Sequence, residues 1–270
     1  MKAPRVPTSK RSISKNREEN LMIGLSPQNN QSDAPHPSNT GSSGQANGHF
    51  STRLSKINTD QRSKSTVYSG RRQSRRVTTA AYIDAFGIPP IAIPNAHLGY
   101  YPSILFSFVE QVEAMLSHHR RILATSFVLS TTGPSDDNRL ISRFFHRLNK
   151  ALKNRYQELR LGYQWVREME DSDRHHYHVV VMVDGDRITR WDKISELVTK
   201  TWLGLTGLRP HFPQNNHLRL RFDDARKLTK LVQRISYFAK ARGKGSGAAQ
   251  AKNYNTSRIK PEYNNTSKQR

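Results

Sequence analysis

After its leading histidine, the stretch His178-Val179-Val180-Val181-Met182-Val183 is apolar at every position. Strand side chains alternate between faces, so such a segment is greasy on both sides and must be central in a sheet. The sequence around it, Arg174-His175-His176-Tyr177-His178 through Asp184, predicts a strand over 175–184. His176 and His178 share one face with Val180 and Met182. Tyr177, Val179, Val181 and Val183 take the other, and His175 faces away from the pair. Imidazoles at the mouth of a buried strand do little for folding, which points to chemistry at that end.

The flanking sequence supplies the rest of a sheet. Arg121–Ser130 reads as a strand, 161–170 as a second, joined to the histidine strand by the polar turn Asp171-Ser172-Asp173-Arg174, and 217–222 as a fourth. Helical spacing predicts helices from Pro102 through Leu116, from a cap at Asp136 or Asp137 through Leu152, over 191–207 with Gly207 as the stop, and over 223–242. The expected fold class is α+β: an antiparallel sheet carrying the H-x-H strand, with helices packed on one side of it.

Before this, residues 1–95 are rich in Ser, Asn, Gln, Pro and Arg and are expected to be disordered, with the folded domain at 96–245 and a flexible tail at 246–270. The chain carries 44 Lys and Arg against 21 Asp and Glu, a net charge of +23. That excess implies a polyanionic partner, above all nucleic acid. Arg139, Arg143, Lys230, Arg242 and Lys244 are the candidate DNA contacts. With no cysteine, disulfides, thiolate metal sites and thiol nucleophiles are excluded. The sequence shows neither a secretory apolar region nor a membrane-binding helix, so a soluble intracellular protein is expected, with no membrane partner.

Two co-facial imidazoles can pinch one divalent ion, and a hard ion also asks for an oxygen ligand. Glu168 and Glu170, themselves co-facial on the preceding strand, are the candidates, and the sequence leaves the choice open. On the last helix Leu228, Leu231, Val232, Ile235 and Ala239 form one stripe. Tyr237 falls on the opposite side, among Arg226, Lys230 and Gln233, with Lys240 about 60° away. A tyrosine among cations is a candidate nucleophile, and equally an ordinary solvated tyrosine.

The block VREMEDSDRHHYHVVVMVDGD resembles the HUH motif (His, hydrophobic residue, His) of rolling-circle replication initiators. Glu168 stands eight residues before His176, similar to the initiators of single-stranded DNA phages. RISYFAKARGK is similar to their tyrosine motif, with Tyr237 and Lys240. The strongest likeness, over about residues 100–245, is to the filamentous-phage (inovirus-type) replication proteins, also labelled the YagK/YfjJ C-terminal domain. Two-tyrosine initiators carry a second tyrosine four residues on, where this chain has Ala241.

The resemblance implies a metal-dependent endonuclease in a bacterial cytoplasm that nicks single-stranded or origin DNA. Tyr237 would be the nucleophile and Lys240 its helper, with Mg2+ or Mn2+ on His176, His178 and Glu168. The product would be a 5′-phosphotyrosine and a free 3′-hydroxyl for a host polymerase. No P-loop appears, so a host helicase would unwind the duplex. Two rivals remain: a non-enzymatic basic nucleic-acid-binding protein with structural histidines, and a metallohydrolase that uses water.

Overall fold

The computed structural model describes residues 67–68, 76–169, 174–244 and 251–262. Its main sheet has five strands: β4 (Arg121–Ser130), β5 (Gly162–Glu168), β6 (His176–Asp184), β7 (His217–Arg221) and β8 (Tyr254–Thr256). They lie in the order β7-β4-β6-β5-β8, and every neighbouring pair is antiparallel. Strand β6, apolar on both faces over residues 179–183, is thus the middle one, as its sequence requires. Register sets His178 opposite Val128 on one side and Val166 on the other, and His176 opposite Ser130 and Glu168.

Among the described residues the four α-helices are α1 (Pro102–His118), α2 (Arg139–Tyr156), α3 (Asp192–Thr206) and α4 (Ala225–Ser236). They cover both faces of the sheet, not one side as expected. One core joins α1 and α4 to Ile122, Ala124, Val166, Val180, Met182 and Leu220. The other joins α2 and α3 to Leu123, Phe127, Tyr177, Val179, Val181 and Val183. The physical reason lies in β6: a strand apolar on both faces leaves neither open to water, so each needs a helical layer.

Helix boundaries follow local chemistry. Asp224 caps α4 by accepting from the Lys227 amide at 3.0 Å. Asp137 accepts from the Arg139 amide at 2.9 Å at the start of α2. Gly207 ends α3 with φ of 74°, a left-handed conformation that costs glycine little. Gly99, with φ of 79°, sits so close to Val77 that a β-carbon would lie 2.7 Å from its Cγ1. That approach lets residues 99–101 run beside the end of α4.

Both expected domain boundaries move outward. Residues 76–95, placed with the disordered region, contribute to the fold: β2 (Tyr82–Ile83) pairs with β3 (Ile91–Ala92), and β1 (Val67–Tyr68) pairs parallel to β2. Ile83, Ile91 and Ile93 are buried against the α1/α4 core. The remainder of that expectation lies outside the described residues. Residues 251–262, placed in a flexible tail, instead supply β8 and dock on α1. Gln111 Nε2 donates to Ile259 O at 3.2 Å, and its Oε1 accepts from Ser257 Oγ at 2.6 Å and Ile259 N at 3.0 Å. Composition alone suggested a tail because no apolar run marks a three-residue edge strand held mainly by backbone and side-chain amides.

Gln111→Ala removes all three of these bonds in a half-buried setting. It is expected to cost about 1–3 kcal/mol in urea denaturation. An unchanged midpoint would show that the Gln111 bonds to residues 257–259 contribute nothing to the fold.

Candidate functional site

Four segments meet at the sheet end where β5 finishes and β6 begins. β5 brings Glu168, β6 brings His176 and His178, the end of β4 brings Ser130, and the chain leaving α4 brings Tyr237 to Lys244. This last segment is held from two sides. Tyr101 N donates to Ala239 O at 2.8 Å, Ala241 N to Gly99 O at 3.0 Å, and Met169 N to Gly243 O at 3.2 Å. The loop is therefore pinned between the start of α1 and the end of β5.

Within the cluster, His178 Nε2 lies 2.9 Å from Glu168 Oε2. Lys244 Nζ donates to Glu168 Oε1 at 2.5 Å and to the Lys240 carbonyl at 2.6 Å. The side chains of His178, Glu168 and Lys244 are 12%, 10% and 2% exposed, so this is a buried group. Burial alone would raise the Glu168 pKa. The interactions with His178 and Lys244, Coulombic and hydrogen-bonding, outweigh it and hold the carboxyl at about 2. The His178 ring stacks on Phe238 at 4.9 Å between centroids and meets the edge of Tyr237 at 6.1 Å. Lys240 Nζ stands 3.7 Å from the centre of the Tyr237 ring, within cation–π range. His176 Nδ1 is 3.1 Å from Ser130 Oγ.

The sequence-predicted site residues are thus largely brought together, though not all as expected. α4 ends at Ser236, and Tyr237–Ala239 forms a 3-10 turn. A straight helical wheel put Tyr237 opposite the apolar stripe. The tighter turn leaves it half-buried at the edge of the α1/α4 core, beside His178. Arg139, Arg143, Lys230 and Arg242 are exposed, as a phosphate contact requires. Lys244 is not: its ammonium points inward to Glu168, so it cannot act as a surface DNA contact. Glu170 lies outside the described residues, and Glu168 is the carboxylate that reaches His178.

His175 faces the other way and accepts from the Ser135 amide at 3.0 Å. Burial first, and then the Arg167 charge, lower its pKa and keep it neutral for that role. Sequence reasoning missed Ser130, Phe238 and the inward turn of Lys244. Only Ser130 left a signal, since antiparallel pairing of the two strand ends sets it opposite His176. It also missed that Tyr254, opposite Val166 on β8, stands in the same cross-strand row as His178.

Among the described residues no group of three or more His, Asp or Glu is arranged to hold a metal ion. The donors suit a divalent ion in kind: a carboxylate kept ionised, and His178, whose buried Nδ1 has no hydrogen-bond partner. In placement they stop short, because Lys244 sits on Glu168 and His176 Nδ1 lies against Ser130. Among the described residues no helix is long and apolar enough to cross a membrane.

The fold and site together define an α+β domain with a buried Glu-His-Lys group and a tyrosine at one sheet end, carried by a strongly basic chain. The family model of the YagK/YfjJ C-terminal domain matches residues 91–257, and the chain belongs to that family. The match takes in β3 and β8, beyond both expected domain boundaries. Comparisons with curated proteins and with solved structures give no match.

The Glu168 carboxyl has a depressed folded pKa. Its stabilising effect is therefore complete above its ordinary value of 4.5 and is lost as pH falls through about 2. Thermal unfolding of the protein and of Glu168→Gln, compared from pH 6 to pH 2, should show the gap between them narrowing across that window. A constant gap would place the Glu168 charge outside the network.

Proposed function

We propose that the domain is a DNA-nicking replication initiator of the HUH type, in which Tyr237 attacks a backbone phosphate. The observation that carries this reading is the meeting of Tyr237, Lys240, His178 and Glu168 at one sheet end, from elements far apart in the chain. The phenol oxygen would bond to phosphorus and the bond to the 3′-oxygen would break, leaving a 5′-phosphotyrosine and a 3′-hydroxyl. A free phenol has a pKa near 10, so attack at neutral pH needs positive charge nearby. Lys240, over the ring, lowers the cost of phenolate character. The exposed cations Arg139, Arg143, Lys230 and Arg242 would draw the single strand to the site.

The same reading carries a divalent ion, Mg2+ or Mn2+, for which His176, His178 and Glu168 are the donors and Lys244 has to leave Glu168. Such an ion would polarise a non-bridging phosphate oxygen. A host helicase and polymerase, and a bacterial cytoplasmic setting, belong to this reading as well. The inovirus-type likeness supports it through the order of its motifs.

One observation favours a second reading, a nucleic-acid-binding protein without chemistry. Glu168 already has a hydrogen-bond partner on each oxygen, as a purely structural ion network would. Trapping of a covalent adduct with a single-stranded oligonucleotide decides between them. The protein should form the adduct, and Tyr237→Phe should fold and bind the strand yet form none. Peptide mapping should place the adduct on Tyr237. Absence of any adduct across Mg2+ and Mn2+ supports the binder, and an adduct on Tyr254 moves the nucleophile to β8.

A further inference from the structure

On the opposite face of the sheet from Glu168, the first turns of α2, the middle of β5 and the approach to β8 border an open cleft of about 540 Å3. Arg139, Arg143 and Lys252 line it with Asn138, Asn255 and the Trp165 ring, and no lining residue is acidic. Its volume lies within the usual range of small-ligand sites. Its walls are fixed relative to each other. With its amide turned so that nitrogen donates to Lys252 O at 3.2 Å and oxygen accepts from Lys252 N at 2.7 Å, Asn138 ties α2 to the strand before β8. The Asp137 carboxylate takes the Arg139 guanidinium, so Arg143 and Lys252, from opposite walls, are the principal charges facing the opening.

Two cations on separate walls, the Asn255 amide and the edge of the Trp165 ring make a site larger than a lone phosphate needs. They suit a nucleotide: an anion for the cations, and a polar base edge for the Asn255 amide. The position relates the cleft to the nicking site. Trp165 and Glu168 are three residues apart on β5, about 10 Å along the strand. Arg167 N donates to Asn253 O at 2.7 Å, so Lys252 lies beside the end of β5, where a polynucleotide would pass from one face to the other.

We propose that this cleft binds one nucleotide of the single strand, flanking the nucleotide presented to Tyr237. The inference rests on the nicking reading for its substrate. It adds a site on the other face of the sheet that holds the strand in register before the attack. Arg143 and Lys252 contact phosphate there, and Asn255 faces the base.

The test uses the full chain and a fluorescein-labelled 12-nucleotide single strand, with binding followed by anisotropy from 50 to 200 mM salt. Arg143→Ala/Lys252→Ala is compared with Lys150→Ala/Lys200→Ala, which removes the same charge elsewhere. All four side chains are exposed, and circular dichroism melting checks that both variants fold. The cleft variant should bind about tenfold more weakly at 0.1 M salt, and its slope of log affinity against log salt should fall by about 1.4, two contacts at 0.7 each. The control should change neither by a comparable amount. A strand carrying 5-iododeoxyuridine should photocrosslink to the peptide that contains Trp165. Equal behaviour of the two variants, or crosslinks confined to other peptides, overturns the cleft while leaving the nicking reading intact. A protein that binds no single strand overturns both.

Discussion

A strand that is apolar on both faces can be satisfied only in the middle of a sheet that is itself in the middle of the domain. β6 imposes that arrangement here. Its outer faces call for two helical layers, and its neighbours β4 and β5 have to bury their own inward residues against the same layers. Only at its termini is β6 free of the two helical layers' apolar cores. Polar groups on the strand are therefore confined to its two ends, with Asp184 at one and His176, His178 and, across the register, Glu168 at the end where β6 begins. The site is placed by the folding constraint rather than added to a finished fold.

Burial of Glu168 follows from that placement and sets a second constraint. An ionised carboxylate at 10% exposure is unstable without positive partners. His178 contributes a hydrogen bond from the strand itself. Lys244 supplies another from the loop after α4, so neutralising the carboxylate also fixes the path of residues 240–244. The same charge balance that stabilises the fold carries the loop with Tyr237 and Lys240 to the histidines. Structure and chemistry are coupled at this point: any ligand that draws on Glu168 has to displace a lysine that also helps hold the loop.

Much of this was legible in the sequence, for reasons that separate the successes from the failures. Elements with a strong periodic signal, such as Arg121–Ser130 and the stripe Leu228-Leu231-Val232-Ile235, stand where spacing put them. The cover on both faces was implicit in β6, but the grouping of strands and helices suggested one-sided packing. The failures share a cause. β8, the 76–95 segment and the inward turn of Lys244 are fixed by long-range partners: β5, the α1/α4 core and Glu168. No local pattern encodes those. Tyr237 belongs with them, because a wheel assumes that the α-helix continues, and here the chain tightens into a 3-10 turn one residue earlier.

That tightening has a structural consequence. In a continuing α-helix the backbone N–H of Ala241 would point back along the helix axis toward Tyr237. Instead it bonds Gly99 O, and Tyr101 N bonds Ala239 O. The helix thus gives up internal hydrogen bonds and regains them from the segment before α1, at no net loss of pairing. Gly99 makes the exchange sterically possible, since a β-carbon there would run into Val77. The position of Tyr237 beside His178 therefore depends on a glycine far from it in sequence and on the chain ahead of α1. The family match also begins ahead of the first helix, at residue 91. The segment ahead of α1 belongs to the site's support as much as to the core.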